Sequence, residues 1–185
     1  MKQEIVFAGF GGQGVLSMGM TLAHSGMLEN KEVSWMPSYG PEMRGGTANC
    51  TVIISDKIVS SPVIKTFDCV VALNQPSLDK FENSVKLNGV LIYEKDAIIN
   101  PPKRNDIKKF PIDANAEAIK LNNFKIKNMI LLGAYLGINE IVKTESIIAS
   151  LKEILPERYH HLLQLNLTAL EVGKKITKNL IQQNH

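Results

Sequence analysis

A glycine-rich segment near the N-terminus is the first part of the chain whose residue types and spacing could do chemistry. Gly9, Gly11 and Gly14 satisfy the pattern G-x-G-x-x-G, with Gly12 and Gln13 between the last two. Glycines allow a tight turn in which backbone N–H groups approach a phosphate at the positive end of a helix dipole. The pattern predicts an anion site, although the same glycines could instead serve only the close packing of a strand against a helix.

The dinucleotide-binding form of this pattern also needs an acidic side chain at the end of the second strand, where it binds the ribose hydroxyls. Trp35, Met36 and Pro37 occupy that place. Glu29 and Glu32 are near in sequence, but they precede or begin the strand and belong to the opposite end of the sheet. We therefore do not expect NAD binding, whereas a phosphate group without a bound ribose fits the pattern.

A second segment, residues 36–47, combines prolines, an aromatic side chain and charges of both signs, and loops of this kind are more often functional than structural. Because it follows the second strand, we expect it at the carboxyl edge of a parallel sheet, beside the glycine loop. Glu42 and Arg44 could instead pair only with each other on the surface. The candidate binding residues of the two segments are Gly9, Gly11, Gly12, Gln13, Gly14, Ser38, Tyr39, Gly40, Glu42, Arg44, Gly45 and Gly46.

Regular elements must position these two segments, and hydrophobic periodicity indicates which ones. Buried-strand patterns occur at residues 4–10, 32–35, 47–55, 69–73 and 90–93, and residues 36–46 are predicted as a loop. Helical patterns occur at residues 15–27, 74–85, 114–121, 128–136, 144–155 with Thr144 as N-cap, and 159–181. Strands that alternate with helices predict a Rossmann-like α/β fold, a mainly parallel sheet flanked by helices, with a helical C-terminal part.

The composition predicts one compact domain over residues 1–185, with 44% hydrophobic and 21% charged residues. The formal net charge of +3 is too mild and too scattered to indicate nucleic-acid binding. The one dense basic stretch, residues 103–109, is interpreted as a solvated loop.

Cysteine usage and the N-terminus narrow the class of protein further. Cys50 and Cys69 lie in apolar stretches without CxxC spacing or a nearby histidine, so we expect buried thiols and no metal site. The first residues lack the pattern of a signal peptide, and no apolar run approaches the roughly 20 residues that a membrane span needs. These features predict a cytoplasmic protein.

The two loops together resemble a known family. The segment GFGGQG at positions 9–14, followed by SYGPEMRGG at positions 38–46, is similar to the gamma subunit or gamma domain of 2-oxoacid:ferredoxin oxidoreductases. Residues 128–134 and 166–173 are similar to C-terminal helical segments of that family, so the resemblance covers nearly the whole chain. The glycine loop alone is weakly specific, and the two loops in combination are strongly specific.

The resemblance implies a part in the CoA-dependent oxidative decarboxylation of a 2-oxoacid, which gives acyl-CoA and CO2 and passes electrons to ferredoxin or a similar acceptor. In that family, thiamine diphosphate with Mg and the iron–sulfur clusters belong to other subunits or domains. The implied partners are alpha, beta and ferredoxin-like subunits. The chain's own share is structural, with a contact to coenzyme A, and no catalytic residue is assigned to it. The second loop is closer to the 2-oxoglutarate or branched-chain types than to the pyruvate type.

Two other classes of protein remain open from the residues alone. A free-standing nucleotide-dependent oxidoreductase is supported by the glycine loop and opposed by Trp35 and Met36 where an acid should stand. A nucleotide-sensing module without catalysis would use the same loop. The first of these alternatives predicts a protein that acts alone and retains NAD.

Overall fold

A six-stranded sheet and six α-helices form the fold in the computed structural model, which describes residues 1–40 and 46–183. The strands are β1 Lys2–Phe10, β2 Glu32–Tyr39, β3 Thr47–Ser55, β4 Phe67–Ala72, β5 Val85–Glu94 and β6 Lys108–Ile112. The helices are α1 Val15–Leu28, α2 Gln75–Phe81, α3 Ala114–Lys120, α4 Lys127–Ile138, α5 Thr144–Ile154 and α6 Leu163–Gln183. In the described residues, none of the helices combines the length and the hydrophobicity that a membrane crossing requires.

The strands lie in the order β2-β3-β1-β4-β5-β6. The pairs β1–β4, β4–β5 and β5–β6 are parallel, whereas β3 runs antiparallel to both β1 and β2. The predicted class, a mainly parallel sheet flanked by helices, is confirmed. The antiparallel β3 is the exception, because it follows β2 directly without a crossover helix.

The second predicted strand is longer than its sequence pattern indicated. Residues 32–35 were predicted as strand and residues 36–46 as loop, but β2 continues through Met36 to Tyr39. It pairs with β3 over this whole length, from Glu32 opposite Ser55 to Tyr39 opposite Ala48. Pro37 is tolerated because β2 is an edge strand of the described sheet, where a missing N–H need not break the pairing.

A strand that the sequence pattern did not predict lies in the basic stretch. Lys108 and Lys109 begin β6, which adds to β5 at the edge of the sheet. The interpretation of residues 103–109 as a solvated loop is therefore wrong for this part. Charged residues are usual on edge strands, where they discourage pairing with another chain. Arg104 is also ordered, since its guanidinium pairs with Asp106 and donates to the Val85 carbonyl at 2.5 Å.

The predicted helices are confirmed in number and approximate position, with two corrections. The N-cap of α5 is Lys143, and Thr144 is the first helical residue. The segment predicted at residues 159–181 begins as a 3-10 helix, Glu157–Leu162, before α6 continues it. The last four helices follow one another without an intervening strand.

The two faces of the sheet carry separate apolar clusters. Ile5 and Phe7 of β1 point into the larger cluster with α1, α4, α5 and α6, while Val6 points into the smaller cluster with Leu78 of α2. Alternate residues of a strand face opposite sides, so the central part of β1, residues 5–8, must be apolar on both faces. Cys50 and Cys69 are fully buried in the larger cluster, which confirms the prediction of buried thiols.

Candidate functional site

The glycine loop joins the end of β1 to the start of α1 in a tight turn. Gly14 is the N-cap of α1 with φ of 77°, and Gly12 has φ of 89°. Side chains other than glycine rarely adopt such angles, because their Cβ approaches the backbone too closely. The turn therefore requires glycine at both positions, as the motif predicted.

The glycines differ in what surrounds them. A Cβ on Gly9 would lie 2.6 Å from the Gln13 side-chain oxygen, and one on Gly14 would lie 2.5 Å from the amide nitrogen of Asn128. A Cβ on Gly12 would have no described heavy atom within 4 Å. Close packing thus explains Gly9 and Gly14, while Gly12 leaves open space in front of the helix.

The side chain of Gln13 holds the turn together. Its carbonyl oxygen accepts hydrogen bonds from the backbone N–H of Phe10 at 2.6 Å and from Asn74 at 3.2 Å. Asn74 also caps α2 by accepting from the N–H of Ser77 at 3.0 Å. This side-chain oxygen of Gln13, a candidate binding group, is therefore engaged within the protein.

Sequence reasoning missed Asn74 and Asn128 as parts of the site. Asn128 lies in the first turn of α4, and its amide donates to the carbonyl of Gly14 at 3.5 Å. An asparagine shortly before Pro76 is a recognisable helix-start signal, and that signal could have indicated Asn74. Nothing local in the sequence connects Asn128 with a loop that lies 114 positions earlier.

The two loops meet at the carboxyl ends of β1 and β2, as predicted. The N–H of Gly11 donates to the carbonyl of Gly46 at 2.9 Å, and Gly40 continues the β2–β3 ladder to Thr47 at 2.8 Å. Tyr39, more than half exposed, lines a cavity of about 230 Å³ together with Gly12 and the α1 terminus. Ser38 is exposed beside it. The predicted contacts of Glu42, Arg44 and Gly45 lie outside the described residues.

A larger cavity of about 610 Å³ lies on the other side of the α1 terminus. One end is polar, formed by Gly12, Gly14 and the exposed Ser17, with Lys125 and Lys127 beside it. The rest of the wall is mixed. Its apolar or aromatic members include Met20, Phe124, Ile154, Leu155, Tyr159 and Leu162, and its polar members are Gln13, Thr21, Asn123, Asn128 and Asn166. Three separate parts of the chain contribute to this cavity.

The electrostatics of this cavity favour an anion. The first turn of α1 carries no acidic residue, so its free N–H groups and the helix dipole are not neutralised by the helix itself. Among the described residues of the lining there are two lysines and neither Asp nor Glu. The arrangement suits a ligand with an anionic end and an apolar or aromatic remainder.

The topology explains why the dinucleotide pattern is incomplete. In a dinucleotide-binding fold the second strand lies beside the first, so its acidic end reaches the ribose. Here β3 separates β2 from β1. The indole nitrogen of Trp35 packs near Gly19 of α1, where a Cβ would lie 3.3 Å away. The end of β2 therefore has neither the acid nor the position for that contact.

The residues of this chain do not fit an iron–sulfur cluster. Such clusters need about four cysteine thiolates or an equivalent ligand set, and the chain has two cysteines. Both thiols are fully buried, and burial raises the pKa of Cys50 to about 12 and that of Cys69 further. Thiols in this environment stay protonated and are poor metal ligands.

The comparison with known families decides the class of this α/β chain. Residues 4–176 match the sequence profile of the family described as "Pyruvate ferredoxin/flavodoxin oxidoreductase". The chain belongs to this family. The resemblance inferred from the two loops is thereby confirmed at the family level.

Relatives within the family differ in the substrate that their names state. The "Ketoisovalerate oxidoreductase subunit VorA" of Methanothermobacter thermautotrophicus is 36% identical over 97% of this chain, which spans only 37% of that protein. The "2-oxoglutarate synthase subunit KorC" of Methanocaldococcus jannaschii is 33% identical over 97% of this chain and 96% of its own length.

A solved structure of the family shows the same fold. The keto/oxoacid ferredoxin oxidoreductase gamma subunit of Geobacter sulfurreducens superimposes with a TM-score of 0.80. It is 28% identical, and the alignment covers 96% of this chain and 99% of that one. The fold of the family is thus present over nearly the whole length of both chains.

Proposed function

We propose that this chain is the gamma subunit of a multi-subunit 2-oxoacid:ferredoxin or acceptor oxidoreductase and forms one gamma-type domain over residues 1–185. The observation that carries the proposal is the family match over residues 4–176, together with a relative named as a separate subunit of which the alignment covers 96%. The complex oxidatively decarboxylates a 2-oxoacid with coenzyme A to acyl-CoA and CO2, and the electrons pass to the acceptor.

The proposed substrate is 2-oxoglutarate. Support comes from the subunit named for 2-oxoglutarate synthase, which matches from end to end, and from the tyrosine-containing second loop. A branched-chain 2-oxoacid is the second candidate, because the relative named for ketoisovalerate is somewhat more similar at 36% identity. Pyruvate is a third, less favoured by the second loop.

Coenzyme A is the proposed ligand of the two loops. Its phosphates match the free N–H groups of α1 and the two lysines, and its adenine and pantetheine parts match the apolar and aromatic wall. The proposed contacts include the backbone of Gly12 and, outside the described residues, the guanidinium of Arg44, which suits a phosphate. The other candidate binding residues of the two segments are proposed to shape the two loops.

The proposed partners are alpha, beta and ferredoxin-like subunits, which hold thiamine diphosphate with Mg and the iron–sulfur clusters. The two buried cysteines of this chain support that division of labour, because a cluster needs ligands from elsewhere. The chain is accordingly a non-autonomous part of an enzyme.

The test is reconstitution from purified subunits. We expect the isolated chain to give no 2-oxoacid-dependent reduction of a viologen dye with coenzyme A. We expect turnover when it is combined with the chains that co-purify with it from the native cell, identified by mass spectrometry. Rates with 2-oxoglutarate, 2-oxoisovalerate and pyruvate then rank the three substrates.

The control is the same mixture without this chain, which should be inactive or should have a greatly raised KM for coenzyme A. A chain that purifies alone and retains NAD would contradict the proposal and support a free-standing nucleotide-dependent enzyme. Turnover by the isolated chain would contradict it as well.

A further inference from the structure

A second group of polar side chains lies at the carboxyl edge of the sheet, away from the glycine loop. Glu94 is the last residue of β5, Asp96 lies in the following 3-10 turn, and Asp113 follows β6 as the N-cap of α3. Because β5 and β6 are parallel with Glu94 opposite Ile112, their ends bring Glu94 and Asp113 together. One carboxylate oxygen from each of the three acids lies within 4.8 Å of the others.

Glu94 is the unusual member of this acidic cluster, because its carboxylate is buried. The residue is 1% exposed, and one of its carboxylate oxygens has no hydrogen-bond partner among the described residues. The other oxygen accepts only a long hydrogen bond, 3.5 Å, from the N–H of Asn115. Burial raises the pKa of Glu94 to about 7, and backbone N–H groups offset this only in part.

No ion pair among the described residues neutralises the cluster, although the charge of Lys127 lowers the pKa of Glu94 in part. Across residues 1–40 and 46–183, no Lys, Arg or His side chain forms an ion pair with Glu94, Asp96 or Asp113. A buried carboxylate without a partner is costly, and proteins usually pair such a group or use it to coordinate a metal. A cation supplied from solution would remove this cost.

The geometry points to a binding site for one hard divalent cation, Ca²⁺ or Mg²⁺, held by Glu94, Asp96 and Asp113. Oxygen ligands without histidine or cysteine are typical of these ions and unfavourable for zinc. The exposed side of Asp96 leaves room for bound water. The bound ion would fasten the end of β5 to the start of α3.

The test is thermal unfolding and titration calorimetry of the full chain after treatment with a chelator. We expect Tm to rise with added CaCl2 or MgCl2 in a saturable manner, at an ionic strength held constant with NaCl. A ligand that binds only the folded state must shift unfolding in this way. The two salts, titrated separately, show which ion the site prefers.

The matched variants are Asp96→Asn and Glu145→Gln. Both remove one charge from an exposed side chain, but Glu145 lies in the first turn of α5, outside the cluster. We expect Asp96→Asn to weaken cation affinity by about tenfold or more, since one of three charged ligands is lost, and Glu145→Gln to leave it unchanged. Equal Tm shifts in both variants, or no shift in the wild-type chain at about 10 mM of either salt, would overturn the site. The readout needs no catalytic activity, so it stays separate from the test of the proposed function.

Discussion

At the scale of single residues, the glycines of the first loop differ in their surroundings. Gly9 and Gly14 are required because neighbouring side chains occupy the place of a Cβ, whereas Gly12 borders open space. Close packing therefore explains Gly9 and Gly14. The proposed anion site would use the open space at Gly12.

This difference predicts unequal effects of two alanine substitutions. Both Gly12→Ala and Gly14→Ala place a side chain at positive φ, which should cost about 1 kcal/mol of unfolding free energy each. Gly14→Ala should lose about 1–3 kcal/mol more, because its Cβ overlaps the Asn128 amide. Urea unfolding of the two variants measures the difference. Equal losses of unfolding free energy would show that backbone strain alone accounts for the effect at both positions.

Ser17 offers a test of the proposed anion site. It is exposed in the first turn of α1 and lines both cavities of the site. Ser17→Glu should raise the unfolding free energy of the free chain by about 0.3–1 kcal/mol, because an acid suits a helix N-terminus. The same charge should repel a phosphate, so coenzyme A affinity in the complex should fall by about tenfold or more.

Ser17→Gln is the matched control, with a similar size and no charge. It should keep the coenzyme A affinity of the complex within about twofold of wild type. Calorimetry with coenzyme A and the KM for coenzyme A measure the effect. The same loss in Ser17→Gln, or no loss in Ser17→Glu, would remove the helix terminus from the binding site.

At the scale of elements, the packing of α4 on α6 holds the C-terminal part together. Nine consecutive residues of α4, from Asn128 to Leu136, are buried, so this helix has neighbours on all sides. Gly133 of α4 and Gly173 of α6 lie where a Cβ would overlap the backbone of the opposite helix. The two helices approach this closely only because both positions lack a side chain. Asn128, which donates to the glycine loop, lies in the first turn of the same helix.

Gly173→Ala should therefore reduce the unfolding free energy by about 1–3 kcal/mol, even though alanine is the better helix former. The clash involves the backbone of Ile130 and Ala134, which cannot move aside as a flexible side chain could. Asn179→Ala, an exposed position on α6, is the control and should change the value by no more than about 0.5 kcal/mol. Chemical denaturation of both variants measures the effect. A neutral Gly173→Ala would contradict the close approach.

At the scale of the whole molecule, the two edges of the sheet carry different chemistry. The carboxyl edge holds the glycine loop and the acidic cluster, whereas the amino edge holds an ion-pair cluster. There Lys86 of β5 donates to Glu4 of β1 at 2.6 Å and to Asp68, which begins β4 with Phe67, at 2.7 Å. One lysine thus connects three adjacent parallel strands.

This cluster predicts how acid destabilises the protein. Burial by itself raises the pKa of Glu4, but ion pairs with Lys2 and Lys86 outweigh it and hold that pKa below its ordinary 4.5. A carboxylate with a lowered pKa contributes stability above its unfolded pKa and loses it as pH falls through the folded one. We expect unfolding free energy, measured by urea titration, to decrease as pH falls below about 4.5.

Lys86→Met tests the source of that stability. At pH 7 it should cost about 2 kcal/mol, because Glu4 stays largely buried with fewer partners. The difference from wild type should shrink below about pH 4.5, where the carboxyl groups become protonated. Lys120→Met, which breaks an exposed pair with Glu117, should cost much less than Lys86→Met, because solvent screens that pair. A loss that does not depend on pH would assign the effect to packing of the lysine stem.

The sequence by itself determined the features that depend on local patterns. Apolar runs identified β1 and β3 to β5, and 3.6-residue periodicity with start signals identified the helices. These patterns are local because a segment that becomes buried must itself carry apolar residues at the buried positions. The turn glycines were recognisable for the same reason, since a positive φ restricts a position to few residue types. The combination of the two loops was sufficient for the family, which the match over residues 4–176 confirmed.

Tertiary structure alone decided which distant segments meet. The sequence did not show that β3 lies between β2 and β1, or that β6 exists. Strand pairing depends on hydrogen bonds between segments that are distant in sequence. Glu94 and Asp113 are separated by 18 residues, and the larger cavity combines Ser17, Lys125 and Tyr159. Parallel strands bring their carboxyl ends to one edge whatever their distance in sequence, so a site at that edge has no local pattern to reveal it.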